Sequence, residues 1–327
     1  MRIAIVYDKT APHTTGVYLE TALRRSRHRV DHYWTSRASE IPQGYDLYLR
    51  IDHGDYAHDL PAHLRPSIFY AIDTHLEKPY RRIREQARRY DLVCCAQQDG
   101  TERLQRETDL AAEWLPLGCE PELHASPGGE RTLDVAFVGT DGKRSARPRL
   151  LRILRHRYTK AFIGQAPHTE LGRLYGSAKI GFNCSIQNDV NMRMFEVMAA
   201  GALLVTNQIE ENGIEELFRA GEHYVVYRNA LGMLEAIEHY LSHEVERAAI
   251  AEAGHRLVLS QHTYHRRAVR LLALASARLR KRYPQLAIDQ TLPLLENCDR
   301  GQVTSDQKPA GDYPSPVTRH ASPVHGS

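Results

Sequence analysis

The chain has 327 residues, a length that suits two domains of about 100–200 residues each. Its 42% hydrophobic and 25% charged residues exclude a globally disordered or collagen-like chain. The formal net charge of +3, from 43 basic and 40 acidic residues, does not favour nucleic acid as the principal partner.

The first part of the chain alternates short apolar runs with amphipathic segments. The predicted strands are residues 2–7, 46–51, 68–72 and 92–96, and the predicted helices are residues 16–27, 79–89 and 100–106. Strands that alternate with helices predict a parallel sheet covered on both faces.

A stretch rich in proline and glycine, residues 117–130, predicts a linker, and the alternation then begins again. Pro148 suits the first turn of a helix, and residues 247–282 predict two helices. The predicted strands of this second part are residues 134–139, 161–164, 179–184, 202–206 and 224–227.

These elements predict an α/β protein with two Rossmann-like parallel-sheet domains, residues 1–118 and 133–284, joined by a linker at residues 119–132. Ligands of such sheets bind outside the carboxyl ends of the strands, so we predict a site in the cleft between the domains. Residues 285–327 are rich in small residues and proline and poor in large apolar ones, which predicts a disordered tail.

The five cysteines include no CxxC pair, which is typical of a reducing compartment and not of a disulfide scaffold or a zinc ribbon. The apolar run at residues 1–7 meets Asp8 at once and is too short for a secretory signal. No apolar run approaches the roughly 18 residues of a membrane span. We therefore expect a cytoplasmic protein without a membrane span.

A turn of small residues, GTDGKR, begins at Gly139, between a predicted strand and a predicted helix. Backbone N–H groups at such a turn can approach an anion, although an ordinary strand-to-helix turn explains the pattern equally well. The turn matches neither the Walker A nor the GxGxxG spacing.

Eight basic residues and no acidic residue lie between positions 143 and 160. Three of them are expected on the solvated face of the following helix: Arg152, Arg155 and Arg157. Three others lie at the turn, where cationic side chains can grip a phosphate: Lys143, Arg144 and Arg147.

The most specific motif, NDVNMRMFEVMAAGALLVT, occupies residues 188–206. A polar loop leads into a helix that ends at Gly201 and is followed by a strand. Arg193 and Glu196 are three residues apart and share one helix face. That spacing is most often a surface ion pair, but this helix opens at a strand end, where ligands gather.

Residues 174–206 resemble the donor-binding motif of group 1 glycosyltransferases, and the R-x-F-E-x-x-A-x-G core resembles the CgeB-like (spore-maturation) branch. The segments FVGTDGKRSARPRLL, YDLVCCAQQDG and WLPLGCEPELH are similar to other parts of that family. The resemblance extends over residues 68–264. It implies the two-lobed GT-B fold and transfer of a sugar from a nucleotide-diphosphate donor, with no further cofactor.

The resemblance also implies roles for single residues. Glu196 would hold the ribose hydroxyls, Arg193 and Arg147 would neutralise the diphosphate, and Gly139 would allow close approach. Asn188 stands where many of these enzymes have the first Glu of an E-x7-E motif, which leaves open whether the anomeric configuration is retained or inverted. The full predicted donor site is Gly139, Lys143, Arg147, Asn188, Asn191, Arg193, Glu196 and Gly201.

Preorganised cations and a helix N-terminus can stabilise a leaving diphosphate without a metal, and we predict no metal site. The run Asp52-His53-Gly54-Asp55 has suitable ligand atoms but lies in the predicted acceptor domain.

An inverting transfer needs a base within hydrogen-bond distance of the acceptor hydroxyl. Asp73 and His75 are the preferred catalytic pair because they follow a wholly apolar strand, and His13 is an alternative. Each of these residues also suits an ordinary cap or turn. The late histidines are expected in packing or at the surface: His255, His262 and His265.

The expected partners are a nucleotide-sugar donor and a glycan, protein or small-molecule acceptor. Three alternatives remain open. The protein could be a nucleotide-sugar epimerase of the same fold, a non-catalytic nucleotide-sugar-binding protein, or a DNA-binding protein that uses the Arg-rich helix.

Overall fold

The computed structural model describes residues 1–10, 14–142 and 145–287. In these ranges the chain forms two parallel β-sheets flanked by helices, which confirms the predicted fold class. Four sequence predictions lie outside the described residues: His13, Lys143, Arg144 and the tail from residue 288 onward.

The N-terminal sheet has six strands in the order β2-β1-β3-β4-β5-β6, all parallel. Every residue of β3, β4 and β5 is buried, as expected for parallel strands with helices on both faces. The strands are β1 (Arg2–Val6), β2 (Arg29–Tyr33), β3 (Leu47–Ile51), β4 (Ser67–Ala71), β5 (Leu92–Cys95) and β6 (Ala112–Trp114). The helices are α1 (Thr15–Arg25), α2 (Glu77–Ala87) and α3 (Gln98–Glu107), with a 3-10 helix at Thr35–Glu40.

The C-terminal sheet has five parallel strands in the order β11-β10-β9-β7-β8. The strands are β7 (Leu133–Val138), β8 (Ala161–Gly164), β9 (Ala178–Phe182), β10 (Leu203–Asn207) and β11 (Val225–Tyr227). The helices are α5 (Arg147–Arg157), α6 (Leu171–Gly176), α7 (Met192–Ala199), α8 (Ile214–Leu217), α9 (Ala230–Ser242) and α10 (Glu244–Gln261), with a 3-10 helix at His168–Glu170.

The chain crosses between the domains twice. The first crossing contains α4 (Pro121–His124), a short helix inside the stretch predicted as linker. The second leads into α11 (Tyr264–Leu279), which packs against α1 and β5 of the N-terminal domain and is followed by a 3-10 helix at Pro284–Leu286.

The two crossings lie side by side. The Cys119 N–H donates to the His262 carbonyl at 2.9 Å, and the Tyr264 N–H donates to the Cys119 carbonyl at 2.8 Å. One hydrophobic cluster includes side chains from both domains, among them Tyr18 and Phe195. The domains therefore share a continuous core beside the crossings.

Candidate active site

Arg193 lies at the carboxyl edge of the C-terminal sheet, in the first turn of α7. Its Nε donates to the Val138 carbonyl at the end of β7, and its Nη1 donates to Asn183 Oδ1, both at 2.9 Å. The guanidinium carbon lies 4.3 Å from the centre of the Phe137 ring. Gly139 has φ +148°, and a Cβ there would collide with this guanidinium. In the unliganded protein, Gly139 therefore allows the close approach of Arg193.

Arg147, the first residue of α5, places a second guanidinium at the same edge. It is buried, and its Nε and Nη2 both donate to the Cys184 carbonyl, at 2.9 and 2.5 Å. Burial lowers the pKa of Arg147, and the nearby charge of Arg193 lowers it further. In the described ranges, the hydrogen bonds of both guanidiniums go to carbonyl and amide oxygens, and neither group forms an ion pair with a carboxylate. Two adjacent cations of this kind suit an anionic ligand.

Asp189, in the loop before α7, is an acid whose charge acts on Arg147. Its Oδ1 accepts hydrogen bonds from the Ser185 hydroxyl at 2.7 Å, the Ile186 N–H at 2.9 Å and the Asn191 amide at 3.2 Å. Asp189 therefore organises the turn that leads into α7.

Glu196 lies one turn beyond Arg193 on α7 and is 9% exposed. Burial raises the pKa of this carboxyl from 4.5 to about 7, and the charge of Arg193 opposes the shift. Among the residues that the structure describes, we find no hydrogen bond to the carboxylate; His124 Nε2 is 3.8 Å from Oε1. The surface ion pair that the i, i+3 spacing suggests is not formed, because the Arg193 guanidinium bonds to Val138 and Asn183 instead.

Asn188 is engaged with the loop at residues 208–213. It has φ +67°, its Oδ1 accepts the Glu210 N–H at 2.8 Å, and its Nδ2 donates to the Glu210 carbonyl. The Asn188 carbonyl accepts from Asn212 Nδ2 at 2.7 Å. Both ends of this side chain therefore bond to the backbone of Glu210, in the loop at residues 208–213.

Asn191 and Gly201 lie at opposite ends of α7. Asn191 is the N-cap residue, and its Oδ1 is buried with no hydrogen-bond partner in residues 1–10, 14–142 and 145–287. Gly201 follows the C-terminal end of the helix with φ +72°, and its carbonyl accepts from Arg131 Nη2 at 2.5 Å. Asn191 therefore lies at the carboxyl edge of the sheet, whereas the position of Gly201 suits a helix-ending residue.

On the N-terminal domain, Asp73 and His75 follow β4. Burial, nearby Asp52 and Asp189 of the loop before α7 together raise the pKa of Asp73 to about 6, while His75 opposes the shift. His75 Nδ1 is buried and has no hydrogen-bond partner among the described residues. A half-buried carboxylate with a raised pKa is a candidate general base.

Asp52 stabilises the backbone that follows β4. Its Oδ2 accepts the N–H groups of Ile72 at 3.0 Å and Asp73 at 3.2 Å. Asp55 pairs with His58, with Oδ2 and Nδ1 2.9 Å apart. Within residues 1–10, 14–142 and 145–287, no group of three or more His, Cys, Asp or Glu side chains has a metal-binding arrangement.

Gln97 joins the two halves of the cleft, which the sequence did not indicate. It follows β5, is 1% exposed, and its Oε1 accepts the Val190 N–H at 2.9 Å and Asn212 Nδ2 at 2.8 Å. The Asp99 N–H donates to Asn212 Oδ1 at 3.2 Å. The N-terminal domain thus holds the loop from which α7 begins.

Other predictions can be placed as well. Arg152, Arg155 and Arg157 are exposed, as expected for a solvated face. His262 is buried and stacks edge-on with Phe195 and Phe218.

No helix in the described part of the chain is long and apolar enough to cross a membrane.

Comparison with known proteins identifies a similar family and several similar folds. Residues 129–273 match a family model described as "Glycosyl transferase-like". No curated protein sequence matches the chain.

Several solved structures share the fold. HepE from Anabaena, in complex with UDP and glucose, has a TM-score of 0.64 and 11% identity over 85% of this chain and 100% of that chain. Sucrose-phosphate synthase from Thermosynechococcus elongatus has a TM-score of 0.61 and 12% identity over 84% and 98%. A DNA-modifying β-glucosyltransferase has a TM-score of 0.59 and 15% identity over 85% and 99%.

At these identities the similarity is one of fold. The chain thus has the GT-B fold of glycosyltransferases, and the segment that holds Arg147, Arg193 and Glu196 matches a glycosyl transferase-like family.

Proposed function

We propose that the protein is a glycosyltransferase of the CgeB-like branch that moves a hexose from a nucleotide-diphosphate sugar to an acceptor in the cytoplasm. The observation that carries the proposal is the arrangement on α7. Glu196, a buried carboxylate with no hydrogen bond from the described residues, lies one turn from Arg193, whose guanidinium pairs with that of Arg147 at the edge of the sheet.

This arrangement matches the chemistry of a nucleotide diphosphate. The two vicinal hydroxyls of a ribose donate hydrogen bonds, and an ionised carboxylate accepts them. The diphosphate is an anion, and guanidinium groups bind it through charge-assisted hydrogen bonds. HepE, which has the same fold, binds UDP and glucose, and this makes UDP-glucose the first donor to test.

The transfer step requires no metal in this proposal. As the bond between the anomeric carbon and the diphosphate oxygen breaks, negative charge grows on the diphosphate. Arg193, Arg147 and the N-terminus of α7 stabilise that charge. In an inverting reaction, the acceptor oxygen attacks the anomeric carbon from the opposite face, and Asp73 takes the acceptor proton.

Two assays test the proposal. A panel of nucleotide sugars is screened by thermal shift, since a ligand of the folded state raises the melting temperature. The donor that binds is then incubated with candidate acceptors, and release of the nucleoside diphosphate is followed. We expect release that depends on the acceptor and is lost in Asp73→Asn.

The alternatives predict different results in the same assays. An epimerase would isomerise the sugar while it stays attached to the nucleotide. A non-catalytic binding protein would show a thermal shift and no turnover with any acceptor. Absence of a thermal shift with every nucleotide sugar would contradict the proposal.

A further inference from the structure

His124, the last residue of α4, has a defined tautomer. Its ring is fully buried, and Nδ1 accepts the N–H of Glu120 at 3.0 Å. Burial lowers the pKa of His124 to about 4, so the ring is neutral at physiological pH. A neutral imidazole has one N–H, and Nδ1 is an acceptor here. The proton is therefore on Nε2.

The Nε2–H group faces two oxygen atoms. The Tyr18 hydroxyl is its hydrogen-bond partner at 3.4 Å, and Glu196 Oε1 is 3.8 Å away. The Tyr18 ring contacts the imidazole edge-on, with centroids 5.5 Å apart. The distance to Oε1 is about 1 Å longer than a hydrogen bond, and contacts of this kind often tighten when a ligand binds.

We infer that His124 is a positioning residue for the donor site: its Nε2–H fixes the Glu196 carboxylate in the orientation that accepts the ribose hydroxyls. The inference rests on the proposed function of Glu196. A carboxylate has about four lone-pair sites. One bond from His124 leaves enough acceptors for both hydroxyls of a ribose and stabilises the ionised form.

The surroundings of Glu196 make its protonation measurable. The titratable and charged groups that face it are Arg193 on α7, Tyr175 on α6, His124 on α4, Tyr18 on α1, Tyr264 on α11 and Cys119 in the first crossing. Burial raises the pKa of the three tyrosines and the cysteine to about 12 or above, and His124 stays neutral. Among Glu196 and the groups named here, Glu196 is thus the one that titrates between pH 6 and 9.

The test uses two substitutions that distinguish the role of Nδ1 from the role of Nε2. In His124→Asn, the amide oxygen can still accept the Glu120 N–H, but nothing replaces Nε2. In His124→Gln, the amide nitrogen lies near the position of Nε2. The dissociation constant for UDP is measured by calorimetry from pH 6 to 9 in both variants and in the full-length wild type.

We expect His124→Asn to weaken UDP binding about 5- to 20-fold at pH 7, as expected for loss of one hydrogen bond to a charged group. In a plot of UDP affinity against pH, the fall in affinity on the acid side, here called the acid limb, should move to higher pH by about one unit. The reason is that the Glu196 carboxylate loses a donor that favours its ionised form. His124→Gln should restore part of the affinity and move the limb back.

His262→Asn is the matched control, because His262 is also buried and packs against Phe195 of α7, while its Nδ1 accepts a hydrogen bond from Arg267. It should lower the melting temperature and leave the acid limb in place. UDP binding by His124→Asn and His124→Gln with the wild-type constant and the wild-type limb would overturn the inference. If the wild type binds no UDP at any pH, the donor site itself is wrong, and the inference fails with it.

Discussion

Unpartnered polar atoms mark both sides of the cleft. Within the part of the chain that the structure describes, the Glu196 carboxylate accepts no hydrogen bond, and Asn191 Oδ1 and His75 Nδ1 are buried without partners. Asp73 has a raised pKa. Buried polar groups are nearly always hydrogen-bonded, so such atoms call for an explanation. A ligand between the two domains would satisfy them.

The motif predicted Arg193 and Glu196 because these residues are three positions apart in the chain and follow a strand. The contacts of Gln97 and His124 were not predictable in the same way. Gln97 Oε1 accepts from Val190, 93 residues away, and His124 lies near Glu196, 72 residues away. Hydrophobic periodicity and local motifs do not indicate contacts between residues so far apart in the sequence.

Replacing Glu196 by Gln should stabilise the unliganded protein. Because the folded carboxyl has a pKa of about 7 against 4.5 for the ordinary value, the folded state binds a proton between these pH values that the unfolded state releases. Stability is therefore lost as the pH rises across this window. The substitution should raise the free energy of unfolding by about 3 kcal/mol at pH 8, and most of the gain should disappear at pH 5.

Urea unfolding at the two pH values measures this effect. Glu235→Gln is the control, because Glu235 is exposed on α9 and its removal should change little at either pH. Equal free energies of unfolding for Glu196→Gln and the wild type at pH 8 would show that burial of the ionised carboxylate does not destabilise the fold.

Asp73→Asn should abolish sugar transfer and spare donor binding. Loss of a general base typically lowers the rate by 10²- to 10⁴-fold. In the wild type, kcat at saturating donor should rise with pH through about 6, since Asp73 acts as a base only when ionised. The pH–rate profile and the UDP dissociation constant check the two statements.

Asp109→Asn is the matched control, because Asp109 is exposed in a loop of the same domain. It should leave both quantities unchanged. Full transfer activity in Asp73→Asn would remove Asp73 from the mechanism.

At the scale of elements, hydrophobic patterning predicted the interior strands and missed the two edges of the N-terminal sheet. The unpredicted strands β2 and β6 are the first and last in the strand order. An edge strand has one neighbour and buries less surface, so its sequence needs fewer apolar residues. Strand β2 reads RVDHY, and β6 has only three residues. The helix α4 was missed because Pro121 and the polar residues around it are typical of a linker.

Two arginines of α5 should respond differently to substitution. Arg147→Lys should weaken UDP binding by about tenfold, because an ammonium cannot reproduce the fork of the guanidinium. Binding of uridine, which lacks the diphosphate, should change little. Arg152→Lys alters an exposed residue of the same helix and should affect neither ligand.

Calorimetry with UDP and uridine makes this comparison. An equal loss of affinity for both ligands in Arg147→Lys would point to a disturbed fold, since the Arg147 guanidinium also bonds to the Cys184 carbonyl. Unchanged UDP binding would exclude Arg147 from the diphosphate site.

At the scale of the whole molecule, the domains are joined by more than a linker. Helix α11 follows the C-terminal domain in sequence and packs on α1 and β5 of the N-terminal domain. Gln97 forms a second junction, at the cleft itself. The loop before α7 therefore depends on the other domain for its position.

Gln97→Ala should weaken both the fold and the donor site. The substitution leaves the buried Val190 N–H and Asn212 amide without their acceptor, which should cost about 1–3 kcal/mol of stability. The loop that carries Asp189 and Asn191 loses a support, so the dissociation constant for UDP should rise several-fold. Urea unfolding and calorimetry measure the two effects.

Gln98→Ala serves as the neighbouring control, since the Gln98 amide pairs with Glu216 at the exposed margin of the cleft. It should have a small effect on both measurements. If Gln97→Ala binds UDP as tightly as the wild type, the junction supports the fold and not the donor site.

The most direct test of the central claim is the dissociation constant of UDP for the wild type and for Glu196→Ala, measured by calorimetry at pH 8. If α7 carries the nucleotide-diphosphate site, the wild type binds UDP, and the variant binds it at least tenfold more weakly, because two ribose hydroxyls lose a charged acceptor. Equal dissociation constants, or no binding of UDP by the wild type, would contradict the account.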